Sequence, residues 1–373
     1  MRGILGGVAH AFEIHQIGLH SLSSTMEERW TRQACRDPFD NYGIEELRLL
    51  LPALKPDILF ALQDLWIIPG YLELLQECNI PLVAYLPLDG RLARPQIVED
   101  LREVDHLVTY VPSAREQIHE AFEKLGTPED SRTPRLHVIP HGIDVERFYP
   151  VKNAREQLFP HWKDAGEAFV FLNANQNRAR KRLDVTIEAF AAFAQGKPEN
   201  VKLYLHSAPR GYADLYAEAA RHGIGHRLLL TETEGWEHPV VSEERLNLIY
   251  NACDVGVNTS CGEGWGLVSF EHGSTGAAQI VPEHSACGDL WRGAAELVDA
   301  ELDPTSWQIP LRMSQVSVDG VAGAMERIYA DNSLRGTLGE AARINATSAA
   351  YSWAVVGDQW LQLFGEVSTG ERI

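Results

Sequence analysis

Residues 263–271 read Glu263-Gly264-Trp265-Gly266-Leu267-Val268-Ser269-Phe270-Glu271. Two carboxylates bracket a glycine-bearing turn and the start of an apolar run. Asp254–Asn258 precedes the turn and has the short apolar character of a strand; small, helix-compatible residues follow it. The stretch therefore reads as strand, tight loop and helix N-terminus. Such a terminus presents unpaired backbone N–H groups and a partial positive charge, which suit a phosphate. Gly264 and Gly266 let the backbone approach an anion. Carboxylates at both ends accept hydrogen bonds from hydroxyls. One loop thus carries the groups needed for a sugar nucleotide.

The same strand-then-helix rhythm extends in both directions. Upstream, strands are expected at Ile14–His20, Ile58–Ala61, Leu82–Leu86, His106–Val111 and Leu136–Ile139, with helices at Ile44–Leu54, Leu72–Cys78, Pro95–Leu101 and Ala114–Leu125. After a Pro- and Gly-punctuated junction, Pro140–Pro150, a second series begins. Its strands are Phe169–Asn173, Lys202–His206, Arg227–Leu230, Asp254–Asn258, Gln279–Pro282 and Glu296–Val298. Its helices are Leu183–Ala194, Tyr212–His222, Glu243–Ala252, Trp265–Ala277, Val318–Ala330, Ser333–Thr347 and the tail Trp353–Val367. Strands alternating with helices predict an α/β protein built on parallel sheets. The length of 373 residues allows two domains with cores of their own.

Composition narrows the function. A formal net charge of −19 argues against a nucleic-acid partner, which needs a basic face. No apolar run approaches a membrane span, and no secretory pattern opens the chain. Five cysteines (Cys35, Cys78, Cys253, Cys261, Cys287) lie without metal spacing, as expected for reduced thiols in the cytoplasm.

Cations gather at one place. Asn173–Asp184 packs Arg178, Arg180, Lys181 and Arg182 between a strand and a helix, where open α/β sheets bind ligands. Lys181 and Arg178 are the preferred partners of a diphosphate; the alternative is a solvated basic turn. Asp64 and Asp89 follow strands in the first half, and each suits either an acceptor hydroxyl or a helix cap or turn. His284 follows a strand and is a further candidate lining residue. Trp265 suits either sugar stacking or structural packing.

Taken together, these residues resemble glycosyltransferase family 4, retaining enzymes of the GT-B fold. The resemblance rests on the Glu-x7-Glu spacing of Glu263 and Glu271, on Val241–Asp254 ahead of it, and on Val138–Asp144 with Phe148 and Pro150. It implies two Rossmann-like domains facing across a cleft: an acceptor-side domain at 1–145, a nucleotide-sugar domain at 146–350, and a helix at 351–373 crossing back. It also implies retaining transfer of a sugar from a nucleotide-diphosphate sugar to a hydroxyl, with no metal or other cofactor. Glu263 would contact the sugar, Glu271 the ribose, and the N–H groups of Gly264, Trp265, Gly266 and Leu267 the sugar and phosphates. Lys181 stands nine residues before Phe190, at the family's diphosphate-binding lysine. The family's arginine position is Gln176 here, and Arg178 is the substitute. The family's opening strand and glycine-rich turn have no counterpart, because Met1–His10 reads as the helix that follows them. The N-terminal sheet is therefore expected to be incomplete. Either the chain starts late relative to the family, or another segment fills the place. This gap motivates the alternative of a sugar-nucleotide-binding protein without transfer; an epimerase of the same fold is a third reading. Base, sugar, acceptor and oligomeric state are not legible.

Overall fold

A computed structural model describes residues 1–19, 25–26, 29–37, 39–76, 78–126, 133–231, 233, 236–303 and 310–370. His20, the last residue of the expected first strand, lies outside them. The chain forms two compact units: Met1–Leu88 with Leu92–Gly142 and Ala349–Ile373, and Asp89–Arg91 with Ile143–Ser348. The chain passes from the first unit to the main part of the second at 142/143, and the three residues Asp89–Arg91 belong to the second unit.

The first unit opens with helix α1 (Arg2–Val8), then β1 (His15–Gly18), β2 (Thr25–Met26) and β3 (Thr31–Ala34). These strands make a separate sheet in the order β1-β3-β2, with β1 parallel to β3. Helix α2 (Ile44–Leu54) begins where Asp40 accepts hydrogen bonds from the N–H groups of Ile44 and Glu46, both at 3.0 Å. β4 (Leu59–Leu62), α3 (Ile68–Leu75), β5 (Leu82–Leu86), β6 (His106–Thr109), α4 (Pro112–Leu125) and β7 (Arg135–Val138) follow. The four strands form a parallel sheet in the order β4-β5-β6-β7. β5 is buried along its whole length, as a strand covered on both faces should be. The C-terminal helix Trp353–Thr369 lays Trp360 and Phe364 against Phe60, at ring separations of 5.0 and 5.4 Å. It also meets α1 backbone to backbone, since a Cβ on Gly7 would stand 2.8 Å from the Cα of Gly357.

The second unit contains α5 (Ala154–Leu158), β8 (Phe169–Asn173), α6 (Leu183–Phe193), β9 (Val201–Leu205), α7 (Leu215–Arg221), β10 (Leu228–Leu230), α8 (Glu243–Asn251), β11 (Val255–Val257), α9 (Leu267–Ser274), β12 (Ala278–Pro282), α10 (Ser285–Trp291), β13 (Glu296–Val298), α11 (Val318–Ala330) and α12 (Asn332–Ala346). Six strands pair in parallel in the order β10-β9-β8-β11-β12-β13. One apolar cluster, including Phe171, Phe190, Phe193 and Ile280, fills the face under α6 and α11; a second, including Phe148, Val170, Ile249 and Tyr250, fills the other. The order reverses between β8 and β11. At such a switch point the loops diverge and leave a crevice beyond the strands' carboxyl ends.

Candidate functional site

Two loops meet at that crevice, one after β8 and one after β11. Buried hydroxyls and amides join them. Asn173 donates to Thr186 (2.9 Å), whose hydroxyl meets that of Thr259 (2.7 Å); Thr259 in turn donates to the carbonyl of Arg182 (2.8 Å). The N–H of Cys261 donates to the carbonyl of Arg180 (2.8 Å). Unpaired buried polar groups are costly, so this network gives both loops one defined shape.

The basic run divides its labour. Lys181 Nζ donates to Glu263 Oε1 at 2.5 Å, and Arg180 Nη1 reaches Glu263 Oε2 at 3.3 Å. Arg180 also donates to the Gly262 carbonyl, and its Nε lies 3.4 Å from Asp89. Arg182 turns away and forks onto Asp184. Arg178, the substitute expected from the sequence, is exposed; the arginine that reaches the carboxylate is Arg180. Spacing alone could not distinguish them, since a loop has no period to aim its side chains.

Glu263 is 4 % exposed and also accepts from Ser260 Oγ at 2.8 Å. Burial alone pushes its carboxyl up. The charges of Lys181 and Arg180, with hydrogen bonds from Lys181 and Ser260, outweigh that and hold it below its ordinary value. Its own N–H donates to Ser285 Oγ (3.2 Å), and His284 bridges Ser285 Oγ and the Ser260 carbonyl at 2.8 and 2.7 Å. Burial lowers the His284 pKa, so the ring is a neutral brace under Glu263. Ser260 and Ser285 carried no sequence signal beyond their nearness to Glu263 and His284.

Helix α9 starts after Gly266, whose φ of 88° is left-handed and excludes other residues at low cost. No side chain caps this terminus, so the first backbone N–H groups of the helix are suited to donate to an anion. Trp265 is 4 % exposed and stacks on Phe270 at 4.9 Å. Its ring packs against Phe270, the structural alternative left open for Trp265 by the sequence. One further turn along α9, Glu271 accepts from Tyr250 Oη at 2.7 Å. Burial raises its carboxyl to about 7, against a smaller lowering by Tyr250. Asp64 belongs to the first unit, in the turn between β4 and α3. Among the described residues, no group of three or more His, Cys, Asp or Glu is placed to hold a metal ion. The five thiols are free.

Over 99% of this chain and 92% of the other, the structure resembles sucrose-phosphate synthase from Thermosynechococcus elongatus with a TM-score of 0.75 at 18% identity. This chain has the GT-B glycosyltransferase fold. A second structure, Anabaena Alr3699/HepE in complex with UDP and glucose, matches with a TM-score of 0.66 at 16% identity over 90% of this chain and 86% of that one. In sequence, the chain is 24% identical over 315 residues to a D-inositol 3-phosphate glycosyltransferase of Xylanimonas cellulosilytica, covering 81% of this chain and 67% of that protein. No family model matches the chain. Among the described residues, no helix is long and apolar enough to cross a membrane.

Proposed function

We propose that this GT-B protein transfers a sugar from a nucleoside-diphosphate sugar to an acceptor hydroxyl, with retention at the anomeric carbon. The observation that carries the reading is the pairing of Lys181 with the buried Glu263, with Arg180 beside it, at the switch point of the second unit's sheet. The diphosphate lies against the N-terminus of α9 and shares Lys181 and Arg180 with Glu263. As the sugar–oxygen bond breaks, negative charge grows on the departing phosphate, and these fixed donors meet it without reorganising. Glu263 stays ionised at neutral pH, so it accepts a hydroxyl of the transferred sugar and does not serve as an acid. Glu271 takes the ribose hydroxyls. Asp89, tied to Arg180, sets that guanidinium; Asp64 is the first unit's candidate for positioning the acceptor. A uridine nucleotide is the first donor to try, because the HepE structure holds UDP and glucose. Phosphorylated polyols and sugars are the first acceptors, after the relatives' names.

The test is a thermal-shift screen of nucleoside-diphosphate sugars, followed by mass spectrometry and anomeric NMR of products from sugar-phosphate acceptors. A donor at a hundred times its dissociation constant should stabilise by about 2.7 kcal/mol. Lys181→Ala should then lower turnover by about a hundredfold or more. Donor binding without any transfer or hydrolysis, or full turnover in Lys181→Ala, would remove the reading.

A further inference from the structure

Both backbone groups of Glu263 are held by the segment that follows β12. The Glu263 N–H donates to Ser285 Oγ at 3.2 Å, and its carbonyl accepts from the N–H of Ala286 at 3.3 Å. His284 closes this ring of contacts, with Nδ1 2.8 Å from Ser285 Oγ and Nε2 2.7 Å from the Ser260 carbonyl. A carbonyl only accepts, so Nε2 carries a proton, and in the neutral ring Nδ1 is then an acceptor. That fixes the remaining direction. The Ser285 hydroxyl donates to Nδ1 and keeps its lone pairs for the Glu263 N–H. Backbone geometry marks the same residue. Ser285 has a φ of 41°, in the left-handed region that favours glycine, so a serine stands there against strain. Glycine would relieve the strain but supply no hydroxyl.

We propose that His284 is a positioning residue that acts through Ser285 on Glu263, as a latch closed while the ring is neutral and opened by one proton. Protonation turns Nδ1 into a donor. The Ser285 proton then loses its acceptor; among the described residues, this hydroxyl has no partner besides His284 and the Glu263 N–H. The charge-assisted bond from the imidazolium also competes with the longer bond from the Glu263 N–H for the same oxygen. Two charged groups act on the ring from the facing loops: Glu263 favours the imidazolium and Arg180 opposes it. Lys181 and Asp89 pair with those two, and on the ring's own segment Glu283 pairs with Arg292. Burial is the largest influence and lowers the pKa, so the latch is closed at neutral pH and opens below 6.5. Donor affinity should fall with it in acid, a consequence that rests on the donor role proposed for Glu263.

Amide hydrogen exchange at Glu263, expressed as protection relative to an unstructured chain, tests the latch without any ligand. The unaltered chain is compared with His284→Gln and Ser285→Gly from neutral pH down to the acid limit of the fold, with the Phe171 amide of β8 as the core reference. A glutamine amide can donate to Ser260 and accept from Ser285, yet it does not titrate. Protection at Glu263 should fall about tenfold or more below pH 6.5 in the unaltered chain, persist in His284→Gln and be missing at every pH in Ser285→Gly. An unaltered chain without the acid step, an equal step in His284→Gln, or full protection in Ser285→Gly overturns the latch. Calorimetric titration with UDP-glucose is then run on the unaltered chain and His284→Gln, above and below the step. Glu271 titrates in both forms and cancels. The acid loss of affinity should be about tenfold larger in the unaltered chain; equal losses overturn the link to the donor. Failure of UDP-glucose to bind either form at any pH counts against the donor reading alone, since the exchange result stands without it.

Discussion

At the scale of single residues, the two glutamates of the loop have opposite electrostatics. Glu263 is buried yet ionised, because Lys181 and Arg180 surround it. Glu271 is raised to about 7, because burial outweighs its one hydroxyl partner. The sign of the resulting pH dependence follows. Below the ordinary value of 4.5 the Glu271 carboxyl is protonated in folded and unfolded chain alike and costs nothing. Between 4.5 and about 7 the unfolded chain releases the proton while the folded chain keeps it, so stability falls as pH rises; above 7 the cost is constant. Glu271→Gln removes that penalty. Denaturation curves should show the variant gaining on the parent between pH 4.5 and 7 and holding the gain above it; a pH-independent difference would contradict this. Replacing Ser285 by Ala should leave the fold in place but remove the partner of the Glu263 N–H, at about 1–3 kcal/mol by chemical denaturation.

At the scale of elements, what was legible in the sequence depended on burial. Leu82–Leu86, Phe169–Asn173 and Glu296–Val298 form as expected to the residue. The first two are apolar runs in mostly or fully buried strands, whose patterning leaves few alternatives. Helix starts were less legible. The helix expected from Trp265 begins at Leu267, because Gly266 adopts a left-handed conformation that no apolar period records. The helix expected from Leu72 begins at Ile68, because Pro69 sits in the first turn, where its missing N–H is no loss. β2 and β3 are short and polar and carry no alternation to find them by. At the crevice, the nearness of the basic run to Glu263 followed from its place after a strand, whereas which of its cations contact Glu263, Lys181 and Arg180, depended on folded geometry. Gly266→Ala tests the element directly. A left-handed non-glycine residue costs about 1–2 kcal/mol, so urea unfolding should show a loss of that size, and a titration with the donor found by the screen should show weaker binding.

At the scale of the whole molecule, the candidate donor groups, Asp89 included, lie in one of the two compact units. A donor should therefore raise the unfolding transition of the second unit, which calorimetry with and without UDP would resolve; a ligand shift confined to the first unit's transition would contradict the assignment. At the crevice Lys181 and Arg180 are paired with Glu263, and Arg180 with Asp89 as well. These cations already face carboxylates, in a molecule whose formal net charge is −19. The field of so acidic a chain opposes a nucleotide's phosphates at long range. Arrival should therefore be slow for so small a ligand and should quicken when added salt shortens the reach of that repulsion. Stopped-flow traces at rising ionic strength would reveal a protein that recognises its anion only at contact.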